Sequence, residues 1–204
     1  MTRGKYIAFE GLEGCGKSTH VTRLAEKIHA VATREPGGTR IGAMLRAILA
    51  DPENTDLTPR TELLLMTADR AQHMSQIIEP ALAAGQHVIS DRSVYSTLAY
   101  QGYGRGLDID TLLSINTWAL NGTLPDIVIW IQISPEEAAA RLAKRNLDRF
   151  EREGDAFFAR VAAGFQELAA KDPPRWIHIN GSEPKDIVAS KIYDAVLAHL
   201  GDAL

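Results

Sequence analysis

Short apolar runs recur along this 204-residue chain between longer stretches whose apolar positions repeat every three or four residues. The runs are Tyr6 to Phe9, Val31 to Thr33, His87 to Ser90, Ile127 to Ile133 and Trp176 to Ile179. They are continuous rather than alternating, as strands buried on both faces should be, and the intervening helical stretches provide the crossovers that a parallel sheet requires. Helices are predicted over Ser18 to His29, Arg40 to Ala50, Pro59 to Ala84, Asp108 to Asn121, Pro135 to Arg145, Ala156 to Lys171 and Pro184 to Leu200. The first carries Val21, Leu24, Ala25 and Ile28 at i, i+3, i+4 and i+7, the stripe of an amphipathic helix. The expected class is α/β with a parallel sheet.

Sheets of this kind bind ligands beyond the carboxyl ends of their strands, so the residues following each run carry the chemistry. After the first run, Gly11-Leu12-Glu13-Gly14-Cys15-Gly16-Lys17-Ser18 fits G-x-x-x-x-G-K-[ST], with Thr19 next. Glycines let successive backbone N–H groups turn toward one point, and those groups with a helix N-terminus form a concave anion site. In such a loop Lys17 lies along the β- and γ-phosphates of a nucleotide, and Ser18 places its hydroxyl on Mg²⁺. The alternative is an ordinary glycine-rich turn, which would need neither the lysine nor the serine. Cys15 reads as a small residue that fits the loop; converging N–H dipoles acting on its thiol are the other reading.

Length and 45% hydrophobic content suit a single buried core, here taken as one domain over residues 1–204. A net charge of −4 provides no basic field for polymeric nucleic acid. One cysteine rules out an internal disulfide, and no signal peptide or membrane-spanning apolar run is visible, so a cytoplasmic location is expected, without a membrane partner.

Two further places carry chemistry. Asp91 ends the third run where phosphate-loop enzymes keep a carboxylate for Mg²⁺; a helix N-cap is the alternative. Arg92 beside it has the planar fork suited to phosphate. Arg141, Lys144, Arg145 and Arg149 form a basic cluster where the apolar stripe breaks, a candidate lid over about 141–154 that brings arginines to a transferring phosphoryl group. A solvated helix face is the plainer reading of such a cluster. A GTP switch is disfavoured because neither D-x-x-G nor N-K-x-D occurs in the chain. A regulatory ATPase remains as the alternative to an enzyme with a second small substrate.

F-E-G-L-E-G-C-G-K-S-T (Phe9 to Thr19), T-R-E-P-G-G-T (Thr33 to Thr39), A-D-R-A-Q-H (Ala68 to His73), S-D-R-S-V-Y-S-T-L-A-Y-Q-G (Ser90 to Gly102), P-D-I-V (Pro125 to Val128) and L-D-R-F-E (Leu147 to Glu151) together resemble the thymidylate kinase family. That resemblance implies a phosphate-loop α/β/α fold with a five-stranded parallel sheet, phosphorylation of dTMP to dTDP by ATP with Mg²⁺ in dTTP synthesis, and a homodimer. Carried over by position, it implies that Gly11 through Thr19 hold the ATP phosphates and Ser18 and Asp91 the metal. Glu13 would take the sugar 3′-hydroxyl and Arg92 the acceptor phosphate, with Pro36 close to dTMP. Arg70, Gln101 and Thr97 would meet the thymine, and Tyr100 would crowd the sugar 2′ position. Gly14 stands where some relatives have an arginine, which leaves the catalytic arginines to the lid, as Arg141, Arg145 and Arg149. Met66 stands where many relatives stack a phenylalanine on thymine, and it is either that stacking residue's replacement or part of the core.

Overall fold

The computed structural model describes residues 2–143 and 147–201. Among them, β1 (Tyr6–Glu10), β2 (Val31–Arg34), β3 (Val88–Asp91), β4 (Ile127–Gln132) and β5 (Trp176–Asn180) form one parallel sheet in the order β2-β3-β1-β4-β5. The register sets Phe9 between Asp91 and Ile129, and Arg34 beside Asp91. The loops after β1, β2 and β3 therefore emerge side by side, which is how the sheet gathers three distant sequence motifs.

The helices flanking the sheet are α1 (Lys17–Lys27), α2 (Arg40–Ala50), α3 (Pro59–His73), α4 (Glu79–Ala83), α5 (Val94–Thr97), α6 (Ile109–Ala119), α7 (Pro135–Leu142), α8 (Asp155–Lys171) and α9 (Lys185–Leu200). Their starts follow local rules. Thr39, Thr58, Asp108 and Ser134 each accept a backbone N–H from the first turn, of α2, α3, α6 and α7 respectively. Pro59 and Pro135 open α3 and α7 with their backbone angle already helical. No described helix is long and apolar enough to cross a membrane.

Continuous burial holds for β1 and for nearly all of β3 and β4, but the edge strands depart from it: β2 alternates, and β5 is buried only at Trp176 and Ile179. An edge strand lacks a neighbour on one side, and the helices cover it incompletely. The single helix expected from Pro59 to Ala84 is also interrupted, by a π-helical turn at Met74–Ile78. Pro80 has no N–H for an α-helical bond, and the wider turn passes the chain across this point with Glu79 N–H reaching the Met74 carbonyl.

After α5 comes a second π-helical stretch, Leu98–Gly104, that the apolar pattern does not announce. It is buried almost all round, so it has no stripe to read. α8 packs against it, with the Phe157 and Phe165 rings 6.0 Å and 6.3 Å from Tyr100. That packing sets the position of Tyr100 and Gln101 at the sheet's carboxyl edge.

Candidate active site

A cleft of about 870 Å³ opens at the carboxyl ends of β1, β2 and β3. Its wall includes Glu13, Gly14, Gly16, Lys17, Ser18 and Thr19 from the phosphate loop, Pro36 after β2, Met66 and Arg70 of α3, Asp91 and Arg92, and Thr97, Tyr100 and Gln101. Residues expected from four separate motifs thus share one cavity. Gly11, Leu12 and Cys15 lie in the buried floor of the loop, where Leu12 and Cys15 are each 3% exposed.

The loop's backbone explains its glycines. Gly11 has φ +139°, and a Cβ there would come within 2.4 Å of the Ile131 carbonyl oxygen. Gly16 caps α1 in the left-handed region at φ +97°. Lys17 is buried; its ammonium donates to the Leu12 and Gly11 carbonyls at 2.8 Å and 3.1 Å and lies 3.6 Å from Cys15 Sγ. Ser18 Oγ donates to Asp91 Oδ2 at 2.5 Å. Asp91 is the last residue of β3, and the N-cap of α5 is Ser93, so the N-cap reading of Asp91 is corrected. A hydroxyl and a carboxylate so close at the cleft wall match the oxygen-donor chemistry of a hard divalent cation that keeps water and phosphate as its other ligands. Among the described residues no cluster of three or more His, Cys, Asp or Glu offers a fuller cage.

Arg92 adopts φ +74°, uncommon for a residue with a side chain. Both sides of it are tied down: its N–H donates to the Phe9 carbonyl at 2.9 Å, and its own carbonyl accepts from Ser90 Oγ at 2.7 Å. Just beyond, the buried carboxylate of Glu10 accepts from the Ser93 N–H at 2.8 Å and the Ser93 hydroxyl at 2.7 Å. Burial pushes the Glu10 carboxyl up, and Arg92 with the Ser96 and Ser93 hydroxyls only partly offsets it. The Arg92 fork donates to Glu13 at 2.5 Å, Ser96 Oγ at 2.8 Å, and the Gly11 carbonyl and Tyr100 hydroxyl at 3.1 Å each. Burial raises the Glu13 carboxyl, but the Arg92 and Lys17 charges outweigh it and bring it down to about 2. Burial pushes the Tyr100 phenol well up, so it stays protonated.

Arg70 is 2% exposed and enclosed. Its Nε donates to Glu35 at 2.9 Å, Nη1 to Asn116 Oδ1 at 2.5 Å, and Nη2 to Thr97 Oγ1 at 3.1 Å and the Ser93 carbonyl at 3.2 Å. Glu35 also contacts His73 Nδ1 at 2.9 Å; burial raises its carboxyl, and Arg70 and His73 more than reverse that. Gln101 Nε2 donates to the buried Glu62 at 2.8 Å.

The three lid arginines separate. Arg141, in the last turn of α7, donates to the Gly14 carbonyl at 3.2 Å and the Gly181 carbonyl at 2.9 Å, beside the phosphate loop. Arg145 lies outside the described residues. Arg149 donates to Glu62 at 2.6 Å and the Leu49 carbonyl at 2.8 Å, which anchors it against α2 and α3. Glu62 lies 87 residues away in sequence, so no local spacing announces it. The cleft also includes Glu35, Arg46 and Phe150, given no role from sequence. Glu35 and Phe150 belong to quoted motifs, whereas Arg46 carries no signal beyond a charge on a helix; it donates to the Pro36 carbonyl at 3.2 Å.

The parallel sheet, the phosphate loop and an arginine-lined second compartment define a P-loop nucleotide kinase. The family model described as thymidylate kinase matches residues 9–192. The chain belongs to the thymidylate kinase family. It is 44% identical to a thymidylate kinase of Synechococcus sp. (strain RCC307), over 99% of this chain and all of that protein. It is 44% identical to one of Burkholderia thailandensis, over 98% of this chain and all of that protein, and 42% identical to one of Desulforudis audaxviator, over 98% and 93%.

Because the Glu13 carboxyl is held below its ordinary value, its contribution to stability is present above about pH 4.5 and lost as pH falls toward about 2. In urea unfolding, Glu13→Gln should therefore cost more stability at pH 7 than at pH 4. A cost that does not shrink on acidification would show that the carboxylate charge is not what Arg92 and Lys17 hold.

Proposed function

We infer that the chain transfers the γ-phosphoryl group of ATP to dTMP, giving ADP and dTDP. The observation that carries this reading is Arg92, a half-buried cation at the cleft wall between the phosphate loop and the thymine-side residues. It stands where an acceptor phosphate would meet a donor held by the loop. We read residues 1–204 as one kinase domain with its lid over about 141–154, working in the cytoplasm, where both nucleotides occur.

A phosphate monoester acceptor has its second pKa near ~6 and is mostly dianionic at pH 7, so no side chain has to remove a proton. The obstacle is to hold two polyanions in line, and the chain meets it with placed charge. Lys17 binds along the donor's β- and γ-phosphates within the loop amides of Gly11 to Thr19, and Arg92 binds the acceptor phosphate. Glu13 takes the sugar 3′-hydroxyl, and its pairing to Arg92 sets sugar and phosphate sites in one register. Tyr100, wedged by Phe157 and Phe165, crowds the 2′ position and selects deoxyribose. Pro36 and Met66 wall the base compartment, with Arg70, Thr97 and Gln101 at its polar edge. Ser18 and Asp91 would hold Mg²⁺, which neutralises phosphate oxygens when bound. Arg141 neutralises the donor side from α7, a reading supported by its contact with the Gly14 carbonyl, with Arg145 and Arg149 assigned to the same task from the lid.

The homodimer expected from the resemblance has a candidate face. α3 packs on both α2 and α6, and this layer exposes Met44, Ile48, Leu64, Leu113 and Trp118, the last 82% exposed. Exposed apolar side chains on packed neighbouring helices fit a self-complementary interface.

The acceptor test is ADP release from ATP and Mg²⁺ with dTMP, dUMP, dCMP, dGMP, AMP or thymidine. A preference for dTMP is expected. Preference for another monophosphate would overturn the base assignments, and acceptor-independent hydrolysis alone would favour the regulatory ATPase. Lys17→Ala and Arg92→Ala should each lower turnover at least about a hundredfold, the scale of losing one preorganised charge in a phosphoryl-transfer site; turnover within about tenfold of wild type would remove the role. For the dimer, light scattering should give about twice the 22.3 kDa chain mass. Leu64→Glu combined with Trp118→Glu should return a monomer, and a wild-type monomer at micromolar concentration would end the proposal.

A further inference from the structure

Glu62 is fully buried in the first turn of α3, and none of the readings above uses it. Its Oε1 accepts from Gln101 Nε2 at 2.8 Å and Arg105 Nε at 3.2 Å, and its Oε2 from Arg105 Nη2 at 3.1 Å and Arg149 Nη2 at 2.6 Å. Arg105 is also paired with Glu153, so two acids meet two arginines and the cluster around the buried Glu62 is charge-balanced. Both guanidinium groups lie over aromatic faces, Arg105 on Phe157 at 4.9 Å and Arg149 on Phe150 at 4.5 Å.

This arrangement decides which end of the Gln101 amide faces the cleft. An ionised carboxylate only accepts hydrogen bonds, so Glu62 can engage only the NH₂ end. The carbonyl Oε1 of Gln101, a cleft-lining residue, is then left without a protein partner among the described residues. Arg70 presents the opposite character nearby, since one N–H of its Nη1 remains after Asn116 has taken the other. The base compartment thus offers a donor from Arg70 and an acceptor from Gln101. Thymine has a matching edge, with the O4 acceptor beside the N3–H donor. Cytosine reverses both, with N4–H₂ beside an unprotonated N3.

We propose that Glu62 is a positioning residue for base choice: by holding Gln101 Nε2 it keeps Oε1 turned toward an N3–H and so disfavours cytosine. This rests on the dTMP reading above. With Glu62→Gln, the partner amide can present either its oxygen or its NH₂, and Gln101 is released to adopt both orientations.

The test compares kcat/KM for dTMP and dCMP with saturating ATP and Mg²⁺. Wild-type enzyme must favour dTMP; if it does not, the proposed function itself fails. In Glu62→Gln the dTMP-to-dCMP ratio should fall at least about tenfold, the scale set by leaving an oriented polar group mismatched. The change should come through a higher KM for dTMP, with KM for ATP within about twofold of wild type. Glu62→Asp, which withdraws the carboxylate by one methylene, should lower the ratio in the same direction and serves if the first variant does not fold. Arg105→Gln separates positioning from stability: it breaks two bonds to Glu62 but leaves the one to Gln101, so Tm should drop while the ratio stays within about twofold. A ratio unchanged in the folded Glu62 variants, or lowered equally by Arg105→Gln, overturns the proposal.

Discussion

A cleft that receives anions must hold positive charge away from bulk water, and a buried charge is costly unless it is partnered and hydrogen-bonded. The site answers this constraint residue by residue. Arg70 is given Glu35, Arg92 is given Glu13, and Arg105 and Arg149 share Glu62. Each acid comes from a different element than its arginine, so the pairs also join the loops after β1, β2 and β3 to α3 and to the segment between α7 and α8.

The pairing has a chemical consequence beyond neutrality. A guanidinium whose hydrogens are mostly assigned cannot turn, so what it presents to the cleft is set before a ligand arrives. Arg70 is held from three sides by Glu35, Asn116 and the Ser93 carbonyl. Arg92 is held in an uncommon backbone conformation by Phe9 and Ser90, with Glu10 fixing the turn that follows. Lys17 is different: a compact ammonium resting on loop carbonyls, it can exchange those partners for phosphate oxygens with little movement. The arrangement therefore combines rigid forks on Arg70 and Arg92 with an adaptable point charge on Lys17.

The parallel sheet converts chain order into proximity. β1 lies between β3 and β4, so the phosphate loop emerges next to Asp91 and Arg92 although about 80 residues separate them. α8 then closes the far wall by packing Phe157 and Phe165 on Tyr100. The position of Tyr100 at the cleft wall thus depends on a helix that contributes bulk rather than chemistry.

Local rules made much of this legible from the residues alone. The five strands, the phosphate loop and most helix starts follow from apolar runs, a motif with a backbone mechanism, and capping residues directly before the helix they open. Family likeness placed Glu13, Arg70, Arg92 and Gln101 together. Other features had no local signature. The π-helical stretches at Met74–Ile78 and Leu98–Gly104 arise from a proline constraint and from all-round burial, neither of which leaves a clear periodic pattern. Arg149 is held by Glu62 and the Leu49 carbonyl, both distant in sequence, and no local spacing announces either contact. The amino-acid sequence by itself determined the element types and the residue kinds available at each strand end, because these depend on near neighbours. Which acid partners which arginine, and which end of each amide faces the cleft, was decided only by the tertiary structure, because hydrogen bonds between remote segments depend on distances that exist only after the chain has packed.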